Sequence, residues 1–356
     1  MKKKILIFGA GAIGRGFIAP QFFKHNFDIY FADSDTDLVS KLNVKKEYLA
    51  GITLKNDYSF SKIKIKKAFN ITEKINVSNF DMVFSCVGPN NCFKNFEQYR
   101  QAKILISCEN DISTVDKLKK ITGNKNIYFS IPDVITSNTA PSKILKKDNL
   151  AVISEKGVLV LEKFSKLLPN DLEFVSKAGL NKHWICKLFI HNAPHAIAAY
   201  LGHLKKHKFI HESMEDKKIC LIVKGAIIEI TTGIINCNLV DKKFAINYMN
   251  KEIKRFANKL LFDPISRVAR DPIRKLSKNN RLIKAIQISL YNNKLPSNCA
   301  IGILAALKYY DKKDSQSQHL KLMIENFGKK YAMEKVCGLE KGDPLINFCL
   351  SQKINI

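Results

Sequence analysis

The sequence predicts two dissimilar halves, an α/β half built on a mostly parallel sheet followed by an all-α half. Three observations predict this. In the first half short apolar runs alternate with helical patterns, as a parallel sheet with crossover helices requires. From about Trp184 onward apolar residues recur at three and four positions instead. The chain, at 356 residues, is also long enough to bury two cores. The boundary is placed so that residues 1–183 form the first domain and 184–356 the second, with an active site expected in the cleft between them.

Taken in order, the candidate strands are residues 4–8, 28–32, 82–87, 104–108 and 127–130. Between the second and third, residues 49–55 and 60–68 alternate in twos around Asn56-Asp57 and predict an inserted hairpin. Residues 150–174 close this half with a mixed strand and helix pattern. In the second half, residues 220–235, 244–261, 281–291, 298–310 and 318–336 have helical spacing. Turn signals separate several of these segments, among them Asn292-Asn293, Pro296-Ser297 and Gly342-Asp343-Pro344.

Composition narrows the function. No run of ~18 uncharged apolar residues is present, so no membrane span is expected. The basic start Met1-Lys2-Lys3-Lys4 meets a glycine-rich turn too soon for a signal peptide, and a cytoplasmic protein is expected. Nine cysteines without a Cys-x-x-Cys pair fit reduced thiols and no metal site. The net charge of +27 comes from 52 Lys against 7 Arg. The lysines are spread along the whole chain, with no basic tail and no nucleic-acid motif. A solvated basic surface therefore explains the charge better than nucleic-acid binding. Such a field still attracts phosphorylated sugars and dinucleotides.

Gly9-Ala10-Gly11-Ala12-Ile13-Gly14 follows the first strand and opens a helix, the context in which this spacing marks a Rossmann dinucleotide turn. Gly9 permits the tight turn, Gly11 lets the backbone approach a pyrophosphate, and Gly14 lets helix and strand pack closely. The helix start offers free N–H groups to the phosphates. Asp33 ends the second strand, where a carboxylate accepts from ribose hydroxyls and repels the extra phosphate of NADP, so NAD is the expected cofactor. Farther along, Cys86-Val87-Gly88-Pro89-Asn90 ends another strand. Gly88 fits either a passage near the nicotinamide ribose or a plain turn. The expected cofactor-binding set is Gly9, Ala10, Gly11, Ile13, Gly14, Asp33 and Gly88.

In the segment beginning Lys187-Leu188-Phe189-Ile190-His191-Asn192-Ala193-Pro194-His195, Lys187, Asn192 and His195 share one face of a regular helix. Pro194 cannot sit in a helix interior without loss of a hydrogen bond, so a kink or a new helix capped by Asn192 is expected. Spacing alone leaves two readings open: a catalytic set, or a buried Lys and His satisfied by neighbouring carboxylates.

Lys187-x4-Asn192-x2-His195, continued by Ala196-Ile197-Ala198-Ala199-Tyr200-Leu201-Gly202, resembles the signature of the polyol-specific long-chain dehydrogenases, the mannitol dehydrogenase family. Residues 8–18 and the segment Val268-Ala269-Arg270-Asp271-Pro272, running on through 281–284, are similar to that family as well. The resemblance implies that Lys187 is a general base taking the substrate hydroxyl proton while hydride leaves for the nicotinamide. It implies that Asn192 and Asn110, the latter in Ser107-Cys108-Glu109-Asn110, donate to the developing alkoxide. His195 would hold a substrate hydroxyl, and no metal is implied. The chain length fits the shorter, phosphate-using branch. The implied reaction is NAD-dependent interconversion of mannitol 1-phosphate and fructose 6-phosphate by a monomer or homodimer. Two departures stand out. Asn-Ala-Pro-His replaces the commoner Asn-Thr-Gly-His, and Asp133-Val134-Ile135-Thr136-Ser137-Asn138 lacks the family's Asp-Arg pair. The second departure keeps an unphosphorylated polyol or a uronate as the alternative substrate, with Asp133 as a stand-in contact.

Five of the seven arginines lie within residues 255–281. Arginine's planar fork binds phosphate through two bonds. Arg270, Arg274, Lys275 and Arg281 are therefore candidates for a substrate phosphate. Salt bridging to Asp263 or Asp271 is the other reading of the same cluster.

Overall fold

Ile5, Leu6, Ile7 and Phe8 are all fully buried, as a strand covered on both faces requires. In the computed structural model, which describes residues 2–356, they form the centre of an eight-stranded sheet. The strands in chain order are β1 (Lys4–Phe8), β2 (Asp28–Asp33), β3 (Glu47–Thr53), β4 (Tyr58–Lys64), β5 (Lys67–Asn70) and β6 (Met82–Ser85). They continue with β7 (Leu105–Ser107), β8 (Ile127–Asp133), β9 (Thr136–Ser137), β10 (Val152–Ser154), β11 (Val158–Leu161) and β12 (Glu173–Phe174). The large sheet has the order β12-β11-β8-β7-β6-β1-β2-β5. It is parallel except where β11 runs antiparallel to β8. All five strands expected in the parallel sheet are in it.

Two local expectations need correction. The hairpin exists as β3 and β4, but its second arm ends at Lys64. Residues 67–70 leave it to pair with β2 in the large sheet, because Ala68 is buried on the core side there. The hairpin is itself extended, in the order β4-β3-β10-β9, into a second sheet. Residues 150–174 contain β10, β11 and β12 and no helix. Residues 162–172, between β11 and β12, close in tight turns, with Leu168 and Leu172 buried in the core.

The chain divides into two compact units, residues 1–184 with 260–262, and residues 185–259 with 263–356. In the second unit all regular structure is helical. The five long helices expected there are present as Lys217–Asn236, Lys242–Phe256, Arg281–Ser289, Ser297–Leu307 and Ser315–Cys337. Shorter helices at Ile210–Glu215, Ile265–Ala269, Pro272–Leu276 and Pro344–Leu350 were too brief for periodicity to reveal. Lys217–Asn236 is long and apolar enough to cross a membrane by length and composition. It nonetheless carries Lys224 and Glu229, and Glu229 accepts hydrogen bonds from the side chain and backbone of Asn298 and from the Cys299 N–H. Its buried face, Ile219, Val223, Ala226, Ile227, Ile230 and Ile234, is the core of this unit.

Gly233 on that face sets how closely two helices approach, since a Cβ there would stand 2.4 Å from the Ile288 carbonyl oxygen. That obstacle is backbone and cannot rotate away. Gly233→Ala is expected to destabilise the protein by about 2 kcal/mol, the ordinary cost of overpacking. Chemical denaturation would measure it, and an unchanged midpoint would show that the two helices are free to separate.

Candidate active site

The first unit builds a nucleotide-sized recess from the glycine turn. Gly9 has φ +94°, its N–H donates to Ala32 C=O at 2.8 Å, and a Cβ on it would lie 2.5 Å from Cys86 C=O. A Cβ on Gly14 would stand 2.0 Å from Gly9 C=O. Both glycines are therefore structural necessities of the turn. Gly11 and Gly88 are different, because a Cβ on either would meet nothing within 4 Å. They border open space.

The first helical hydrogen bond runs from Arg15 N–H to Gly11 C=O at 3.0 Å, so the N–H groups before it are left at the helix start. Asp33 accepts from Ala10 N–H at 2.6 Å and from Asp35 N–H at 3.0 Å. It thus holds the turn while keeping lone pairs to spare. Ala10 is fully buried, and Ile13 is half-buried against the core. Gly9, Gly11, Asp33, Cys86 and Val87 line a cavity of about 330 Å³. Sequence reasoning missed Arg15. Its buried guanidinium donates to Ala10 C=O and Leu150 C=O, both at 2.5 Å, and fixes the turn from behind. The only signal was its place inside the glycine motif. Asn110 stands exposed, just past the end of β7.

The second unit carries Lys187, Asn192 and His195 on one continuous helical stretch, all buried. Neither a kink nor a cap at Asn192 absorbs Pro194. Residues Cys186–His191 widen into a π-helical turn, in which Asn192 N–H donates to Lys187 C=O. The wider turn makes room for the proline ring and stacks Asn192 directly over Lys187, five residues earlier. Asn192 itself has helical φ/ψ. Its Nδ2 is buried without a hydrogen-bond acceptor among the described residues. A buried, unused amide donor is what a ligand oxygen would complete.

A second histidine, His191, lies between Lys187 and His195, and sequence reasoning passed over it. Its Nδ1 meets the fully buried Glu252 carboxylate, which is also paired with Arg255. His195 repeats the arrangement one helical turn later. Its Nε2 stands 3.0 Å from Asp263, and Asp263 pairs with Arg267 at 2.5 Å. The imidazole rings are 5.2 Å apart, and that of His195 stacks on Phe256 at 4.9 Å. Burial, together with the Lys187 and Arg255 charges, holds His191 well below the usual imidazole range. Burial also lowers His195, against the pull of Asp263. Both histidines are therefore neutral near pH 7. Burial would raise the Asp263 carboxyl, but Arg267 and His195 outweigh it and hold the group below its ordinary value. The only forewarning of these pairs in the sequence was an acid three or four residues before an arginine.

The arginine cluster divides by partner. Arg255 and Arg267 belong to the carboxylates just described. Arg270 is exposed, and Arg274 lies 3.3 Å from Asp271. Lys275 and Arg281 are buried, and among the described residues no carboxylate comes within ion-pair distance of either. Burial, then Arg281 and Arg274, push the Lys275 ammonium well down. Burial, then Arg274, push Arg281 to about 9. Tyr200 and Tyr309 border this group with rings 5.4 Å apart, and both hydroxyls are buried without partners among the described residues. Basic groups and buried O–H donors are thus gathered here, and Asp271 is the carboxylate that acts on both Lys275 and Arg281.

A glycine-turn parallel sheet in one unit and a buried Lys-Asn-His helix in the other define a two-part dehydrogenase. Comparison with known proteins agrees. The family model described as the mannitol dehydrogenase Rossmann domain matches residues 3–214, and that of the mannitol dehydrogenase C-terminal domain matches residues 180–337. A mannitol-1-phosphate 5-dehydrogenase of Buchnera aphidicola (subspecies Acyrthosiphon pisum) is 31% identical, covering 94% of each chain. One from Caldanaerobacter subterraneus is 32% identical over 96% of each. Among solved structures, mannitol 2-dehydrogenase from Pseudomonas fluorescens, in ternary complex with NAD and D-mannitol, superposes with a TM-score of 0.74 at 14% identity, covering 98% of this chain and 94% of that one. The chain belongs to the mannitol dehydrogenase family of polyol dehydrogenases.

The His195–Asp263–Arg267 group makes a stability prediction. Asp263 has a depressed folded pKa, so its contribution is present above the unfolded carboxylate value and is lost as pH falls through the folded one. Asp263→Asn is expected to cost roughly 3 kcal/mol at pH 7 and to flatten the acid limb of stability against pH. Denaturation at pH 7 and pH 3 measures both, and an unaltered acid limb would mean that the pair carries no linkage.

Proposed function

We propose that the protein is an NAD-dependent dehydrogenase that interconverts mannitol 1-phosphate and fructose 6-phosphate, with Lys187 as general base. The observation that carries the phosphorylated substrate is the buried pair of basic side chains Lys275 and Arg281, which has no ion-paired carboxylate among the described residues and whose protonated forms an arriving phosphate would favour. The two curated relatives of similar length are named for the same reaction.

The recess around Gly11 fits a dinucleotide, because the backbone is bare where a pyrophosphate would approach and Asp33 lines the same space. Gly9, Ala10, Gly11, Ile13, Gly14, Asp33 and Gly88 would hold NAD, and bound NAD supplies the hydride acceptor. Asp33 disfavours a 2′-phosphate by charge repulsion. Lys187 takes the proton from the hydroxyl being oxidised. The Asn192 amide, unused in the protein's own bonding, donates to the alkoxide as it forms, and Asn110 is its counterpart at the end of β7. His195, held neutral with Asp263 behind it, orients a neighbouring hydroxyl. Arg274, Lys275 and Arg281 hold the phosphate, with Tyr200 and Tyr309 as further donors. Arg270, exposed, adds only to the field. With nine free cysteines, the protein suits a reducing, cytoplasmic compartment.

Lys187→Ala is expected to lower kcat by about 10²- to 10⁴-fold while NADH titration still shows binding. Near-normal turnover would remove Lys187 from the chemistry. Arg281→Ala is expected to raise KM for fructose 6-phosphate by about 10- to 100-fold and to leave the rate on free fructose unchanged. Wild-type preference for fructose or fructuronate over fructose 6-phosphate, in a panel read with NADH, would replace the phosphate assignment by the unphosphorylated alternative.

A further inference from the structure

Beneath the cofactor recess lies a buried carboxylate that the proposed chemistry does not use. Glu109 is 4% exposed and sits just past β7, next to Asn110. Its Oε1 accepts from Ser85 Oγ at 2.7 Å and from Val87 N–H at 3.0 Å, and the Gly88 N–H also faces it. Tyr99 OH donates to Ser85 Oγ at 3.2 Å, completing a chain of donors that converges on one carboxylate. Cys86 and Val87 line the recess, and Gly88 has φ +93° with open space on the side a Cβ would occupy. One carboxyl thus ties the turn after β6 to the strand end that presents Asn110.

We propose that Glu109 is a positioning residue for the dinucleotide. When ionised it clamps the Val87–Gly88 turn in its cofactor-binding shape, and when protonated it releases that turn. This rests on the NAD reading above. The reasoning is one of hydrogen-bond strength, since a carboxylate accepts from N–H roughly twice as strongly as a neutral carboxyl does. The titratable groups facing Glu109 are the Cys86 and Cys92 thiols and the Tyr99 phenol. Burial raises all three, so they stay neutral across the physiological range. Among the described residues no cation is ion-paired with it. Burial, opposed only by the Ser85, Val87 and Gly88 donors, lifts the carboxyl to about 7. Its protonation therefore changes where the enzyme works.

Binding of the cofactor favours the clamped, ionised form and so expels a proton to solvent. NADH affinity of the wild type is expected to rise about five-fold between pH 6 and 8. Glu109→Gln keeps an acceptor oxygen but cannot ionise, and its affinity is expected to be pH-independent over the same range. Calorimetry of NADH binding to the wild type at pH 7, in two buffers of different ionisation enthalpy, should show proton release, whether or not the variant folds. Release absent in the wild type, or an E109Q profile that still rises five-fold, would overturn the role of Glu109 while leaving NAD as cofactor. A wild type that binds no NADH at any pH would overturn both.

Discussion

The helical unit's chemistry depends on one irregularity, the π-helical turn at Cys186–His191. Pro194 lacks an N–H and its ring crowds the carbonyl four residues back. Widening the preceding turn relieves both problems without breaking the helix, so the stretch stays rigid. The same widening aligns Lys187 with Asn192 and puts His191 and His195 on successive turns. On a regular helix Lys187 and Asn192 would share a face but stand about 140° apart around the axis, and the wider turn brings them closer to one line.

Burying so many polar groups requires their charges to be settled locally, and the two histidines are settled alike. Each is backed by a carboxylate, and each carboxylate is matched by an arginine three or four residues farther along the chain. Neutral imidazoles result, fixed in orientation by what lies behind them. The Lys275–Arg281 group follows the opposite rule. Burial and neighbouring cations push both groups down, Asp271 pulls the other way, and neither is ion-paired with a carboxylate among the described residues.

In the α/β unit the comparable constraint is backbone contact. Gly14 touches Gly9, and Gly9 touches Cys86, so the first helix, the first turn and the end of β6 form one close-packed knot. Arg15 and Asp33 secure that knot with hydrogen bonds to Ala10 from its two sides. Glu109 extends the same logic to the next strand end, with a charge that titrates in place of a contact that cannot change.

What residues 1–356 determined by themselves was periodic. The parallel strands, the switch to helical spacing, the glycine turn and the Lys-Asn-His spacing all lie within windows of a few residues, where local geometry leaves its mark on the pattern. The hairpin was legible for the same reason. The release of residues 67–70 to the large sheet was not, because that choice depends on whether Ala68 finds a buried place beside β2. Only the tertiary structure decided which arginines are spoken for. Arg255 and Arg267 each follow an acid by three or four residues, but only the fold shows that both pairs form and that Arg281 is buried without an ion-paired carboxylate among the described residues. It likewise revealed His191, Arg15 and Glu109. Their roles come from burial and from partners brought near by folding, and burial alters the energy of a charge far more than any neighbour in sequence does.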